Sequence, residues 1–295
     1  MLIRRLAVIG VGLIGGSLAR ALRDAGEVGE VVGCGRGREN LERAVALGVI
    51  DRFTHDIGEA VEGADMVFLS LPLGAMAAAF LAMRGHLAQD AVITDGGSSK
   101  ASVVQACRDA FGTIPASFVP GHPIAGTENS GVEASFATLY HGRRTILTPT
   151  EATSAEALRR VESMWRLCGA EVTRMSVEHH DEVLAATSHL PHMLAFGLVD
   201  TLAQMKENDE IFRYAAGGFR DFTRIASSNP VMWRDICVAN SVALGEVMDR
   251  YIREMQALAE TIKAEDGERL LRIFGRAKAA RDRYVDGIDE SASTE

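Results

Sequence analysis

No apolar run in this chain approaches the roughly 20 residues that a membrane-spanning helix needs. The longest, around Gly74 to Met83, stops far short. Met1–Arg5 has the basic character of a signal-peptide start. However, Leu6–Ile14 is interrupted by Gly10 and Gly12, and no small-residue cleavage site comes after it. Cysteine is scarce too: four residues, at 34, 107, 168 and 237, lie scattered without a Cys-x-x-Cys or a Cys/His cluster at zinc-ligand spacing. That sets aside a disulfide scaffold and a zinc ribbon and favours a reducing, cytoplasmic setting. Positive charge is in deficit, 31 Lys and Arg against 40 Asp and Glu for a net −9. A phosphate backbone is repelled on average, so neither nucleic acid nor a membrane is an expected partner. Repeats and low-complexity blocks are missing as well.

The remaining composition is ordinary for a soluble globular protein: 295 residues, 47% hydrophobic and 24% charged, a length that favours two domains. Residues 1–177 alternate β-rich runs (Leu6–Ile9, Val28–Val32, Met66–Leu71, Ala91–Thr94) with stretches of helical spacing. That alternation predicts βαβ units in a doubly wound, mostly parallel α/β sheet. Two further strand-like runs, Thr145–Leu147 and Glu171–Arg174, flank an amphipathic helix over Ser154–Cys168, with Thr153 or Ser154 as its cap. From about His179 strand signals vanish. Val183–Met205, Val231–Lys263 and Glu265–Tyr284 read as helices, so a second, all-helical domain is predicted over 178–285. Helix faces this apolar in so short a domain point to a core shared between two copies, a homodimer. Residues 286–295, acidic and small, read as a disordered tail.

The run Leu6–Ile9 leads directly into Gly10-x-Gly12-x-x-Gly15, with Leu13 and Ile14 at the variable positions and a helix predicted over Ser17–Ala25. Gly10 permits a tight turn, Gly12 lets backbone approach a pyrophosphate, and Gly15 lets the helix pack on the sheet. The N–H groups of the helix start then face the phosphates. Strand, glycine turn and helix in this order predict a bound dinucleotide. Its identity turns on the second strand, where an NAD-binding unit ends in Asp or Glu. Here Gly35 holds that place, with Arg36 and Arg38 after it, which favours NADP over NAD. The alternative is two solvated arginines with NAD held by backbone contacts.

Asp95-Gly-Gly-Ser-Ser-Lys100 comes after the fourth run, at the sheet edge where ligands bind. Ser98 is the candidate there, either in the active site or as a helix cap. His122, between Gly121 and Pro123 in a segment too glycine-rich for a core helix, is a candidate general base. His189 and His192 share a helix face in Ser188-His-Leu-Pro-His192. Without a carboxylate or thiol at ligand spacing, they are expected to line a cleft rather than hold a metal. His179 and His180 read as a solvated helix start. In Gly217-Gly-Phe-Arg-Asp-Phe-Thr-Arg224, Arg220 or Arg224 has the fork that suits a carboxylate, the alternative being a salt bridge to Asp221 or Glu128.

Taken together, these strings resemble the prephenate/arogenate dehydrogenases of tyrosine biosynthesis. The similarity runs from the glycine turn through His122-Pro-Ile-Ala-Gly-Thr-Glu, Ser188-His-Leu-Pro-His and the Arg224 loop to Met232-Trp233-Arg-Asp. The resemblance implies a Rossmann-type domain leading into a helical dimerisation domain. It implies an NAD(P)-dependent oxidative decarboxylation of prephenate to 4-hydroxyphenylpyruvate, or of arogenate to tyrosine. His122 would take the proton of the ring hydroxyl, Ser98 would orient that hydroxyl and the nicotinamide, and Arg224 would bind a substrate carboxylate. His189 and His192 would lie in the cleft, with Glu128 and Asp221 steering Arg224. Members preferring NAD carry an acid where this chain has Gly35, so cofactor choice does not transfer from them. The stretch beyond Tyr284 is expected to be too short for the chorismate mutase or regulatory domain of some relatives. Two rival readings share the same plan: an NADP-dependent reductase of a small oxo acid or imine, and a non-catalytic dinucleotide sensor.

Overall fold

The computed structural model describes residues 1–127, 129–206 and 208–292. Its first part is a six-stranded sheet ordered β3-β2-β1-β4-β5-β6 and parallel throughout. The strands are β1 (Ile3–Ile9), β2 (Val28–Cys34), β3 (Arg52–Thr54), β4 (Met66–Leu69), β5 (Val92–Asp95) and β6 (Phe118–Val119). Between them run α1 (Leu13–Asp24), α2 (Arg38–Ala46), α3 (Ile57–Val61), α4 (Met76–Met83) and α5 (Ala101–Phe111). Alternate strand residues feed two separate cores. Leu6, Val8, Met66 and Phe68 pack on one face, while Ala7, Ile9, Val67 and Leu69 pack on the other. Burial on both faces explains why these runs are continuously apolar. Chain order reverses between β1 and β4, so the crevice at the carboxyl ends of β1, β4 and β5 is where such a sheet takes its ligand.

A second sheet has three strands: β7 (Gly121–Pro123), β8 (Arg144–Leu147) and β9 (Glu171–Arg174), with α6 (Ala155–Leu167) between the last two. Ser154 caps α6 by accepting from the Ala157 N–H, as expected. The two later strand-like runs thus belong to this second sheet and not to the main one. β8 pairs antiparallel with β7 and parallel with β9. The short strands β3, β6 and β7 left no readable pattern, because two or three residues cannot display a period of two.

The helical part comprises α7 (Val177–Leu184), α8 (Leu190–Ala203), α9 (Asn208–Arg213), α10 (Gly217–Thr223), α11 (Pro230–Ala239), α12 (Ser241–Lys263) and α13 (Gly267–Ala292). Helix starts six residues earlier than Val183, and a π-helical turn at Ala185–His189 joins α7 to α8. Pro191 explains that widening. It has no N–H for the Thr187 carbonyl, and its ring crowds that group. The long helix predicted over 231–263 is broken at Asn240, and α13 runs to Ala292 where a disordered tail was predicted from 286. By compactness the chain divides between Leu244 and Gly245, and the ligand crevice with the residues around it belongs to the first unit. No described helix is long and apolar enough to cross a membrane.

Candidate active site

The glycine turn has the form that its spacing predicts. Gly10 adopts φ +100°, and a Cβ there would lie 2.1 Å from the Ser70 carbonyl oxygen. A Cβ on Gly15 would lie 2.3 Å from the Gly10 carbonyl oxygen and 2.7 Å from Val8. Both glycines are therefore dictated by protein packing. Gly12 is different: a Cβ there would meet nothing within 4 Å. The space beside it is the cradle a pyrophosphate needs, at the start of a helix with no acidic residue in its first turn. Asn40 braces the turn, donating to the Val11 carbonyl at 2.7 Å and accepting from the Val132 N–H at 3.0 Å. Tyr140 Oη donates to the Ile14 carbonyl at 2.6 Å. The fit to a dinucleotide is thus present in the backbone itself.

At the end of β2, Gly35 has room for a side chain: its nearest neighbour would be Leu41 at 3.6 Å. Arg38 is committed locally, 3.3 Å from Glu42 and over the Phe53 ring. Arg36 is exposed on the loop between β2 and α2.

At the end of β5 a buried cluster forms. Asp95 and Lys100 are fully buried and paired, and Lys100 Nζ also donates to the Gly121 carbonyl at 2.6 Å. The Gly121 N–H donates to Asp95 Oδ1 at 3.1 Å, so the residue before His122 is held on both sides. Burial lowers the Lys100 pKa, and the Asp95 carboxylate opposes that fall. Ser98 lies half-buried in the loop between β5 and α5. It does not cap α5. That helix is capped from outside by Asp181, which accepts from the Lys100 N–H at 2.7 Å, the Ala101 N–H at 2.9 Å and Ser99 Oγ at 3.1 Å.

His122 sits on β7, and its Nδ1 lies 2.9 Å from His180 Nε2. His180 Nδ1 in turn lies 2.8 Å from Asp181 Oδ1. His180 is fully buried, which corrects its reading as part of a solvated helix start. It faces inward on α7, whereas His179 next to it is exposed. Burial, reinforced by His180, Lys100 and His189, holds the His122 pKa well below the ordinary histidine value. The ring is therefore neutral and able to accept a proton at neutral pH.

On the helical side Asn240 donates to the Asp181 carbonyl at 2.9 Å and lies 3.0 Å from His189 Nδ1. Because the carbonyl only accepts, the amide nitrogen is fixed on this side and His189 keeps its hydrogen on Nε2. Burial lowers the His189 pKa to about 4. Trp233 packs against both histidines, edge-on to His189 and stacked on His192 at 3.6 Å between ring centres. Its buried indole N–H has no acceptor among the described residues. His192 Nδ1 bonds the Ser188 carbonyl at 2.8 Å. Its pKa is lowered by burial, against the pull of the Ser188 carbonyl bond, and by the charge of Arg224, which is exposed where α10 ends. Arg220 and Asp221 lie exposed on α10, and Glu128 lies outside the described residues.

Family models for prephenate dehydrogenase match both parts of the chain: the nucleotide-binding domain over residues 18–174 and the dimerization domain over residues 176–276. The chain belongs to the prephenate dehydrogenase family. A cyclohexadienyl dehydrogenase of Zymomonas mobilis is 41% identical over 281 residues, covering 94% of this chain and 95% of that protein. The crystal structure of prephenate dehydrogenase from A. aeolicus with hydroxyphenyl propionate and NAD+ superposes with TM-score 0.88 at 39% identity, covering 94% of this chain and 97% of that one. An arogenate dehydrogenase from Synechocystis superposes at 0.81 with 28% identity, covering 95% and 99%. A Rossmann-type domain leading into a helical one is thus the family's fold and this chain's. Relative to the residues singled out from sequence, the site adds His180, Asp181, Lys100, Asp95, Asn240 and Trp233. Asp95, Lys100 and Trp233 stood inside quoted motifs. His180 and Asp181 carried no local signal, since their partners lie in distant segments.

Proposed function

We propose that this member of the family oxidises and decarboxylates prephenate, arogenate or both. The observation that carries this reading is a neutral histidine past the carboxyl end of the sheet that also carries the phosphate-binding turn, with the charge of Arg224 acting on His192 on the helical side. When bound, the dinucleotide supplies the acceptor for the hydride that leaves the substrate ring. His122 accepts the proton of the ring hydroxyl at Nε2 as the hydride departs, and Ser98 orients that hydroxyl. Arg224 holds a substrate carboxylate, joined by the His189 and Trp233 N–H donors, with Glu128 and Asp221 steering the arginine. Prephenate is a dianion, so an acidic protein needs such a local clamp. Loss of carbon dioxide makes the ring aromatic, which leaves the protein chiefly the task of placing base and hydride acceptor together.

NADP is the favoured cofactor. Gly35 removes the carboxylate that would repel a 2′-phosphate, and among the described residues Arg36 shows none of the local pairing that engages Arg38. The dinucleotide-binding part is taken as 1–177 and the helical part as 178–285, the latter joining two copies into a homodimer. One test covers the reaction and the cofactor: initial rates of reduced-nicotinamide formation for prephenate or arogenate, each with NADP or NAD. Turnover in any combination with release of carbon dioxide supports the reaction, and the better nucleotide decides the role of Arg36. Four flat traces from folded, nucleotide-binding protein would overturn it in favour of an oxo-acid or imine reductase, or of a sensor.

A further inference from the structure

A general base must present a bare nitrogen to its substrate. A neutral imidazole has only one, and the partner of the other nitrogen decides which. Here the assignment starts at Asp181. Its oxygens already accept from the Lys100 and Ala101 N–H groups and from Ser99 Oγ, at 2.7, 2.9 and 3.1 Å. Burial pushes its pKa up, but the bonds from His180 and from these N–H groups outweigh that, so Asp181 stays ionised and brings no proton. The 2.8 Å contact from Asp181 Oδ1 to His180 Nδ1 therefore requires the hydrogen on His180 Nδ1. Burial and the nearby Lys100 charge keep His180 neutral against the pull of Asp181, so its Nε2 is bare. That bare Nε2 lies 2.9 Å from His122 Nδ1. The hydrogen between them belongs to His122.

We propose that His180 and Asp181 are positioning residues that fix His122 in the Nδ1–H tautomer, leaving its Nε2 as the proton acceptor. The proposal rests on His122 being the base, but its first test does not depend on turnover. When the substrate O–H bond breaks and the N–H bond forms at His122 Nε2, the imidazolium keeps its bond to His180, whose own Nδ1 proton stays directed at Asp181. Asp181 also caps α5, so the network that sets the base's tautomer is anchored at the end of the strand and helix that carry Ser98.

The experiment labels the histidine rings of the full-length enzyme with 15N and reads both nitrogens by NMR near neutral pH, with His122→Asn assigning the His122 signals. A protonated Nδ1 and an unprotonated Nε2 on His122 support the proposal; the reverse overturns it whatever the substrate proves to be. Kinetics give the second arm. His180→Leu should lower kcat on the order of 10²-fold with KM and nucleotide affinity little changed. His180→Gln, which returns an acceptor near the Nε2 position, should recover most of the loss. Full activity in the leucine variant, or equal loss in both with unchanged melting temperature, overturns the proposal. If the leucine variant does not fold, the tautomer and kcat of the glutamine variant decide it: Nδ1–H retained with most of kcat supports, either one lost overturns.

Discussion

At the scale of the residue, the proposed chemistry depends on one nitrogen. His122→Asn keeps a polar side chain but supplies no base, so kcat should fall about 10²-fold or more while KM changes little. Steady-state kinetics check this, and a near-normal kcat would remove His122 from the role. Arg224→Ala should act the other way, raising KM for the substrate far more than it lowers kcat. An unaltered KM would hand the carboxylate to Arg220 or a cleft histidine. His122 and Arg224 stood out as candidates in the sequence because each stands in a motif whose composition suits no core element. His180 was not. Its partner His122 is 58 residues away, and a histidine in a helix of mixed polarity looks solvated until the opposite element is in place. Sequence spacing reports neighbours on one helix or strand. The contacts that bring His180 to His122 are tertiary, as are those of Asn240.

At the scale of the element, the site is a set of strand and helix ends tied together by buried polar groups. Lys100 joins the end of β5 to the start of β7 through Asp95 and the Gly121 carbonyl. Lys100→Met would remove one partner and leave a buried carboxylate, an arrangement that typically destabilises by about 3–5 kcal/mol. Urea unfolding should show a lower midpoint at an unchanged slope, and an unshifted midpoint would mean that the pair contributes little net stability. The β2–α2 loop carries a separate prediction. Gly35→Asp meets only an ordinary contact with Leu41, so the fold should tolerate it. The new carboxylate should move the ratio of kcat/KM values toward NAD, and no movement would sink the reading of Arg36. Runs of four or more residues bounded by glycine, proline or acid, such as those of β1, β4 and β5, were legible beforehand. The strand carrying His122 was not, having only three residues, and the π turn can be traced to Pro191 only once a helix is known to run through it.

At the scale of the whole molecule, the buried His180 and His189 and the half-buried His122 meet in one network with all three pKa values lowered, and this makes folding itself depend on pH. His189 has its pKa lowered from 6.5 to about 4 by burial. Between those values the unfolded chain holds a proton that the folded chain refuses, so the unfolded state binds more protons and stability rises with pH across the window. The contribution is complete above pH 6.5 and is lost as pH falls toward 4. From that one residue it amounts to about 3 kcal/mol. His122 and His180 shift in the same direction, so their contributions carry the same sign and are likewise lost in acid. Asp181 acts in a lower window: its pKa is depressed from 3.8, so its share is lost only in stronger acid. Urea midpoints should therefore fall steadily between pH 7 and pH 4.5. In His189→Gln, which has nothing to protonate at that position, the fall should be shallower. A flat profile in the parent protein would show that these rings take up protons without unfolding, and the neutral base assigned to His122 would then lose its structural support.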